Sequence, residues 1–218
     1  MNYKVKLIVI VFLAVCDISN LYAQNDDWGT WIDLSASKAI RSASLTLNGE
    51  FYTQNNNRDI ERTSIGIDGN LPINSIMTFN AGYLLMNYNM SGYHEIRNRF
   101  FSTISLKWRL SDFVINHRER IQLTRKPGSG EGAINSMYWR NRLRVVYGEN
   151  KWKVKPSATI ESFYSLGNQG TKQFDEFRYS LALSYCQLKN QDIRLYGLWS
   201  DAVHKNFYVI GLEYEISL

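Results

Sequence analysis

The chain has 218 residues, 44% of them hydrophobic and 21% charged, with a formal net charge of +5. That charge is mild, and Lys and Arg alternate with apolar residues through strand-like segments instead of clustering, which excludes a nucleic-acid surface. The two cysteines are Cys16 and Cys186. If Cys16 leaves with an export signal, no intramolecular disulfide can form and a lone thiol makes no metal site.

Residues 1–23 read as that signal. Lys4 and Lys6 give a positive start, residues 7–16 are apolar, and Leu21-Tyr22-Ala23 ends on the small residue expected before cleavage. The apolar stretch is too short to span a bilayer comfortably. Cys16 faintly resembles a lipidation site, but Val15 stands where a small residue is usual. Cleavage after Ala23 removes Lys4, Lys6 and Asp17 and leaves a net charge of +4. Residues 24–218 then form one domain, with no linker, low-complexity run or later apolar stretch long enough for a membrane helix.

The segments that follow alternate with a period of two. In 43–52 the odd positions Ala43, Leu45, Leu47, Gly49 and Phe51 oppose Ser44, Thr46, Asn48, Glu50 and Tyr52. In 62–71 Thr63, Ile65, Ile67 and Leu71 oppose Arg62, Ser64, Asp68 and Asn70. In 96–109 Ile96, Phe100, Ile104, Leu106 and Trp108 oppose Arg97, Arg99, Thr103, Ser105, Lys107 and Arg109. Segment 140–146 places Arg140, Arg142 and Arg144 opposite Asn141, Leu143 and Val145. Phe177 to Tyr185 and Tyr208 to Leu218 repeat the pattern, the latter with Glu213 and Glu215 on its polar side. Such strands need hydrocarbon on one face and water on the other, which a membrane-spanning barrel supplies. Ten Phe, fourteen Tyr and six Trp suit its aromatic girdles.

Eleven segments can be drawn, starting near residues 28, 43, 62, 76, 96, 113, 137, 152, 176, 193 and 207. Single-chain bacterial barrels favour even numbers, so the expected fold is an all-β, closed antiparallel transmembrane β-barrel of 10–12 strands, in which either the 28–39 segment is not a full pass or a long segment hides a further turn. Short turns at 71–75, 110–112, 148–151 and 189–192 should alternate with longer external loops at 53–60, 87–94, 126–136, 165–175 and 201–206. The last segment resembles the strand by which the barrel-assembly machinery recognises its clients, with Leu218 in place of the usual final aromatic.

Four motifs in order carry a family resemblance: residues 24–31 (Gln24 to Trp31), residues 117–122 (His117-Arg118-Glu119-Arg120-Ile121-Gln122), the basic strand Arg140 to Arg144, and residues 211–216 (Gly211 to Ile216). Together the chain resembles the uncharacterised Gram-negative outer-membrane family known as domain of unknown function 2490. The resemblance implies an exported β-barrel and offers no catalytic residues to transfer.

The lumen-facing candidates are Arg97, Arg99, Arg118, Arg120, Arg140, Arg142, Arg144, Glu213 and Glu215, joined by Lys107, Arg109, Lys153, Lys155 and Glu50. Two readings follow: a basic wall facing an acidic wall across a water-filled lumen that favours anionic solutes, or a network of ion pairs that fills a small barrel. The filled interior is the expected one. Strict alternation turns Glu119 toward lipid; a bulge around residues 118–120 is the expected escape, and an inter-protomer contact is the other. His94, His117 and His204, with Ser91, Ser102 and Ser200, are the candidates for an enzyme acting on lipid, but no nucleophile motif surrounds any serine. Asp26, Asp27 and Asp33 lack calcium-loop spacing and read as solvated terminal acids. Residues 128–132 lack the ending of a phosphate cradle. The expectation is thus an outer-membrane protein of structural or porin-like type, with no cofactor, no nucleic acid, lipid around it and a small anionic solute as candidate cargo. The alternative is a soluble periplasmic ligand-binding barrel with the two faces exchanged.

Overall fold

The computed structural model describes residues 27–90, 92–127, 134–148, 152–167, 173–188, 190–203 and 206–218. The export signal, Cys16, Ser91, His204 and the glycine-rich run 128–132 lie outside them. The described chain forms eleven strands: β1 (Asp27–Ile40), β2 (Ala43–Gln54), β3 (Asp59–Pro72), β4 (Met77–Met90), β5 (Tyr93–Leu110), β6 (Phe113–Arg125), β7 (Ile134–Tyr147), β8 (Val154–Ser165), β9 (Phe174–Leu188), β10 (Gln191–Ala202) and β11 (Phe207–Ser217). Neighbours in sequence pair antiparallel, and β1 meets β11 to close the barrel.

That closing seam is parallel, from Asp27↔Phe207 to Ser37↔Ser217. The odd strand number forces it: with every hairpin antiparallel, the first and eleventh strands run the same way. The sequence expectation is corrected here in two respects. The segment beginning at Trp28 is a full pass, and one of the eleven pairings is not antiparallel.

The loops also differ from expectation. Residues 87–90 and 93–94 are not loop but ladder, pairing Asn87↔Ile96 through Met90↔Tyr93, because their hydrogen bonds continue past the apolar stretch. Thr53 and Gln54 likewise pair with Ile60 and Asp59. The turn between them places Asn55, Asn56 and Asn57 in the left-handed region, which Asn tolerates better than most residues. Asp27 is no solvated terminal acid: its carboxylate accepts the backbone N–H groups of Asn55 and Asn56 at 3.0 and 2.7 Å and holds this turn to the start of β1. The remaining long connections sit at the same end, which is called the long-loop end below.

The two faces of the wall settle which one is wet. Leu143 is 41% exposed and Leu212 36% exposed on the outside, with Ile65, Leu195 and Ile210 around the same belt. Arg142 lines the interior. This orientation is opposite to that of a soluble barrel with an apolar core. Aromatic rings bound the belt: Phe113, Tyr147 and Trp152 in a chain of 5.1 Å centroid spacings at the short-turn end, and Trp139, Tyr164 and Phe174, with Tyr179 on Trp199, toward the long-loop end. They form the girdles of a membrane-spanning barrel.

Register shifts occur at Tyr52/Thr53, Thr124/Arg125, Phe163/Tyr164 and Gln191/Ile193. None lies near Glu119: β6 pairs without interruption with β5 and with β7 from Phe113 to Thr124. The expected bulge is absent, and Glu119 faces outward. Hydrogen bonds from Trp139 and Asn141 on its own face make the position tolerable without one.

Candidate functional site: the charged lumen

The alternation that turns apolar residues outward turns the charged ones inward, and register places them in rows across the wall. One row runs Thr103, Arg120, Arg140 and Phe163 across β5 to β8, and the next runs Ser105, Arg118, Arg142 and Glu161. Each row sets two arginines directly opposite one another, an arrangement that costs free energy unless something compensates. Glu161 compensates. Its Oε1 is reached by Arg140 through Nη2 at 3.0 Å and Nε at 3.1 Å, and it also accepts a hydrogen bond from Arg118 Nη2.

Neutral groups also hold guanidiniums of this wall. Arg99 donates to Thr124 Oγ1 at 3.2 Å, and Arg120 donates to Thr103 Oγ1 at 3.0 Å while lying 4.2 Å over the Phe101 ring. Arg140 further donates to Gln122 and covers Phe163 at 4.3 Å. Arg144 reaches Ser184 Oγ at 3.4 Å. Six guanidiniums on β5 to β7 therefore surround a single inward carboxylate, Glu161 of β8. Arg97 sits apart at the long-loop end, ion-paired with Glu95 and stacked on Tyr88. Lys155 lines the cavity at the short-turn end. Lys153 does not, because it precedes the start of β8 at Val154 and is exposed.

The opposite wall is acidic. Asp33 has Glu50 and Glu213 as its Cα partners on either side, with Glu215 next along β11. Asp33 is thus part of the lumen wall and not a solvated terminal acid. These carboxylates are individually matched: Tyr52 donates to Asp33 at 2.9 Å, Arg62 pairs with Glu50 at 3.0 Å, Arg194 pairs with Glu213, and Asn48 and Asn80 donate to Asp68. Arg62 and Arg194 thus offset Glu50 and Glu213, Asp33 and Asp68 are held by neutral donors, and the β5–β7 wall carries the local excess of cations.

Between the walls lies a cavity of about 1410 Å³. Its lining runs from Lys107, Lys155 and Glu215 at the short-turn end to Gln173, Asp175 and Val203 at the long-loop end. The expectation of a filled interior is overturned. Small inward residues, among them Ser105, Ser136, Thr159, Ser180 and Ser184, leave space that ion pairs along the wall do not occupy. An apolar cluster fills one sector: Trp31 stacks on Tyr52 at 4.5 Å and 6°, beside Ala182, Tyr196 and Val209. Arg178, paired with Glu176, covers both Trp31 and Phe163.

Among the described residues, His94 and His117 do not meet one another or a serine. His94 lies at the start of β5, and His117 faces outward with its Nε2 3.0 Å from Glu119 Oε1. Among the described residues no three His, Cys, Asp or Glu side chains are placed to hold a metal ion. The residues that sequence reasoning missed are Glu161 and Arg194; Arg62 and Arg178 are placed on the polar faces of their segments without being assigned a partner. A period-two reading of β8 would have placed Glu161 inward with Thr159 and Phe163.

Residues 28–206 match the family described as "Protein of unknown function (DUF2490)". The chain belongs to this family. Its description assigns no chemistry. No curated protein matches the chain. Among solved structures it is similar to the KdgM porin, at 14% identity and a TM-score of 0.48, covering 84% of this chain and 93% of that one. It is also similar to the β domain of the Bordetella autotransporter BrkA, at 10% identity and a TM-score of 0.45, covering 82% of each chain. A third similarity is to Pseudomonas aeruginosa OccK3 (OpdO), at 13% identity and a TM-score of 0.35, covering 75% of this chain and 53% of that one. Similarity at this level carries no information about a solute or an activity.

Proposed function

We propose that this DUF2490 protein is exported by residues 1–23, inserted into the bacterial outer membrane, and serves there as a passive permeability protein for small anionic solutes. The observation that carries the reading is the 1410 Å³ cavity with six guanidiniums on one wall and one carboxylate among them. A charged wall bordering a narrow aqueous lumen raises the local concentration of ions of opposite sign and disfavours those of like sign. The effect reaches about 8 Å at physiological ionic strength, a distance comparable with the half-width of a small lumen. The acidic wall opposes it in part, with Arg62 and Arg194 offsetting Glu50 and Glu213.

In this reading the exposed belt contacts lipid, the aromatic girdles sit at its two surfaces, and the barrel-assembly machinery engages the final strand during insertion. No cofactor takes part. The test is conductance of the purified, refolded protein in planar bilayers under a salt gradient. Discrete openings with a reversal potential on the anion side support the proposal. Silence at all voltages, or cation preference, overturns it.

A further inference from the structure

Arg120 faces Arg140 in one row of the basic wall and Arg118 faces Arg142 in the next, so four guanidiniums stand at the corners of a square on β6 and β7. Glu161 matches one diagonal of it. Its Oε1 takes Arg140 from the first row and Arg118 from the second. The other diagonal, Arg120 and Arg142, has no carboxylate within ion-pair distance among the described residues. Arg120 donates to the Thr103 hydroxyl at 3.0 Å and lies over the Phe101 ring. Arg142 has no hydrogen bond or ion pair among the described residues: Glu161 is its Cα partner on β8, but that residue's Oε1 is taken by the other two arginines. Both unmatched side chains line the cavity.

Diagonal neighbours on adjacent strands stand about 7–8 Å apart, close enough for two arginine side chains to converge on one group, as Arg118 and Arg140 do at Glu161. Four guanidiniums against one carboxylate leave three positive charges here, an arrangement that costs free energy until an anion compensates. The wall supplies no second carboxylate, and the space beside it is open, so the compensating group comes from solution. A halide offers no planar pair of acceptors to a guanidinium fork, and a carboxylate cancels a single charge. A phosphoryl group carries nearly two charges and three acceptor oxygens, which serve two forks at once. We propose that Arg120 and Arg142 form a binding site for a dianionic oxyanion, either free phosphate or the phosphoryl group of a small solute, so that the lumen holds its cargo by a saturable contact as well as by its field. The proposal rests on the reading of the lumen as an anion path and names what that path holds.

The test is calorimetric titration of the full mature protein, refolded in detergent, with inorganic phosphate above its second pKa, beside the block of chloride current by phosphate in planar bilayers. Phosphate should bind saturably and at least tenfold more tightly than acetate. Arg120→Gln and Arg142→Gln should each weaken phosphate binding about tenfold, whereas Arg99→Gln, which removes the same charge from the same wall, should weaken it less than twofold. Glycerol phosphate separates the two sources: tighter binding than inorganic phosphate assigns a phosphorylated solute, weaker binding assigns the free ion. If either variant fails to fold, the phosphate-to-acetate ratio of the native chain still decides. Saturable phosphate binding to a protein that is silent in bilayers keeps the site and removes the permeability reading. Anion-selective conductance without saturable phosphate binding, acetate bound as tightly as phosphate, or equal losses from Arg99→Gln and Arg142→Gln overturns the proposal and leaves the permeability reading standing.

Discussion

Glu161 Oε1 lies 3.0 Å from Arg140 Nη2 and 3.1 Å from Arg140 Nε, so one carboxylate oxygen takes two contacts from a single guanidinium on the neighbouring strand. Arg118 reaches the same oxygen from the strand beyond. Glu161 is therefore the anion that allows the rows of opposed arginines to exist, and the lumen is built around it.

Replacing Glu161 by Gln leaves Arg118 and Arg140, which meet at its Oε1, without a counter-charge. Hydrogen bonds to charged groups contribute about 1.5–3 kcal/mol, and Glu161→Gln should destabilise the barrel by about that amount in urea unfolding in lipid vesicles. Reversal-potential measurements on the same variant should show a stronger anion preference, since one lumen carboxylate is gone.

Neutralising an arginine that rests on a hydroxyl should have the opposite effect on selectivity and little on stability. Arg99 and Arg120 are held by Thr124 and Thr103, which lose only a hydrogen bond. A unit charge about 8 Å from a solute in a water-like dielectric contributes about 0.5 kcal/mol. Arg99→Gln and Arg120→Gln should each lower the anion-to-cation permeability ratio about twofold, with the difference shrinking at high salt.

The packed sector of the lumen depends on a missing side chain. A Cβ on Gly211 would fall 1.9 Å from Tyr196 Cζ, and that ring is fixed among Trp31, Ala182 and Val209. Overpacking of this kind costs about 1–3 kcal/mol. Gly211→Ala should lower the temperature at which the folded band converts on a gel, and Gly211→Ala with Tyr196→Leu should recover most of the loss.

The parallel seam can be locked. Ala36 and Ile216 are Cα partners across it, and neighbouring strands bring Cα atoms within disulfide range. In a Cys186→Ser background, Ala36→Cys with Ile216→Cys should cross-link under a mild oxidant and resist opening on boiling until reduced. An even-stranded closure would leave the pair unlinked.

Much of this architecture was legible in the sequence because a strand's period of two is local. The eleven expected starts fall within three residues of those observed, from 28 against Asp27 to 207 at Phe207. What failed has identifiable causes. The loop expected at 87–94 is rich in Asn and Tyr, yet its backbone still pairs, since ladders extend beyond the apolar belt. Glu161 was hidden because β8 carries small residues, Ser157, Ala158 and Thr159, on both faces and shows little contrast. Val114, Val146, Leu84 and Met86 face inward and blur the same signal elsewhere. Glu119 suggested a bulge because its hydrogen-bond partners Trp139 and Asn141 belong to another strand and register cannot be read locally. The parallel seam depends on which strands meet after ten hairpins, and no local pattern encodes it.

Ser180 and Leu181 are adjacent on β9, and the orientation of this pair decides the premise beneath every argument above. Spin labels at Ser180→Cys and Leu181→Cys, in a Cys186→Ser background reconstituted in bilayers, should relax differently. The label at 180 should respond to a water-soluble nickel chelate and the label at 181 to oxygen dissolved in the hydrocarbon. The reverse pattern would place the arginines outside and contradict the account.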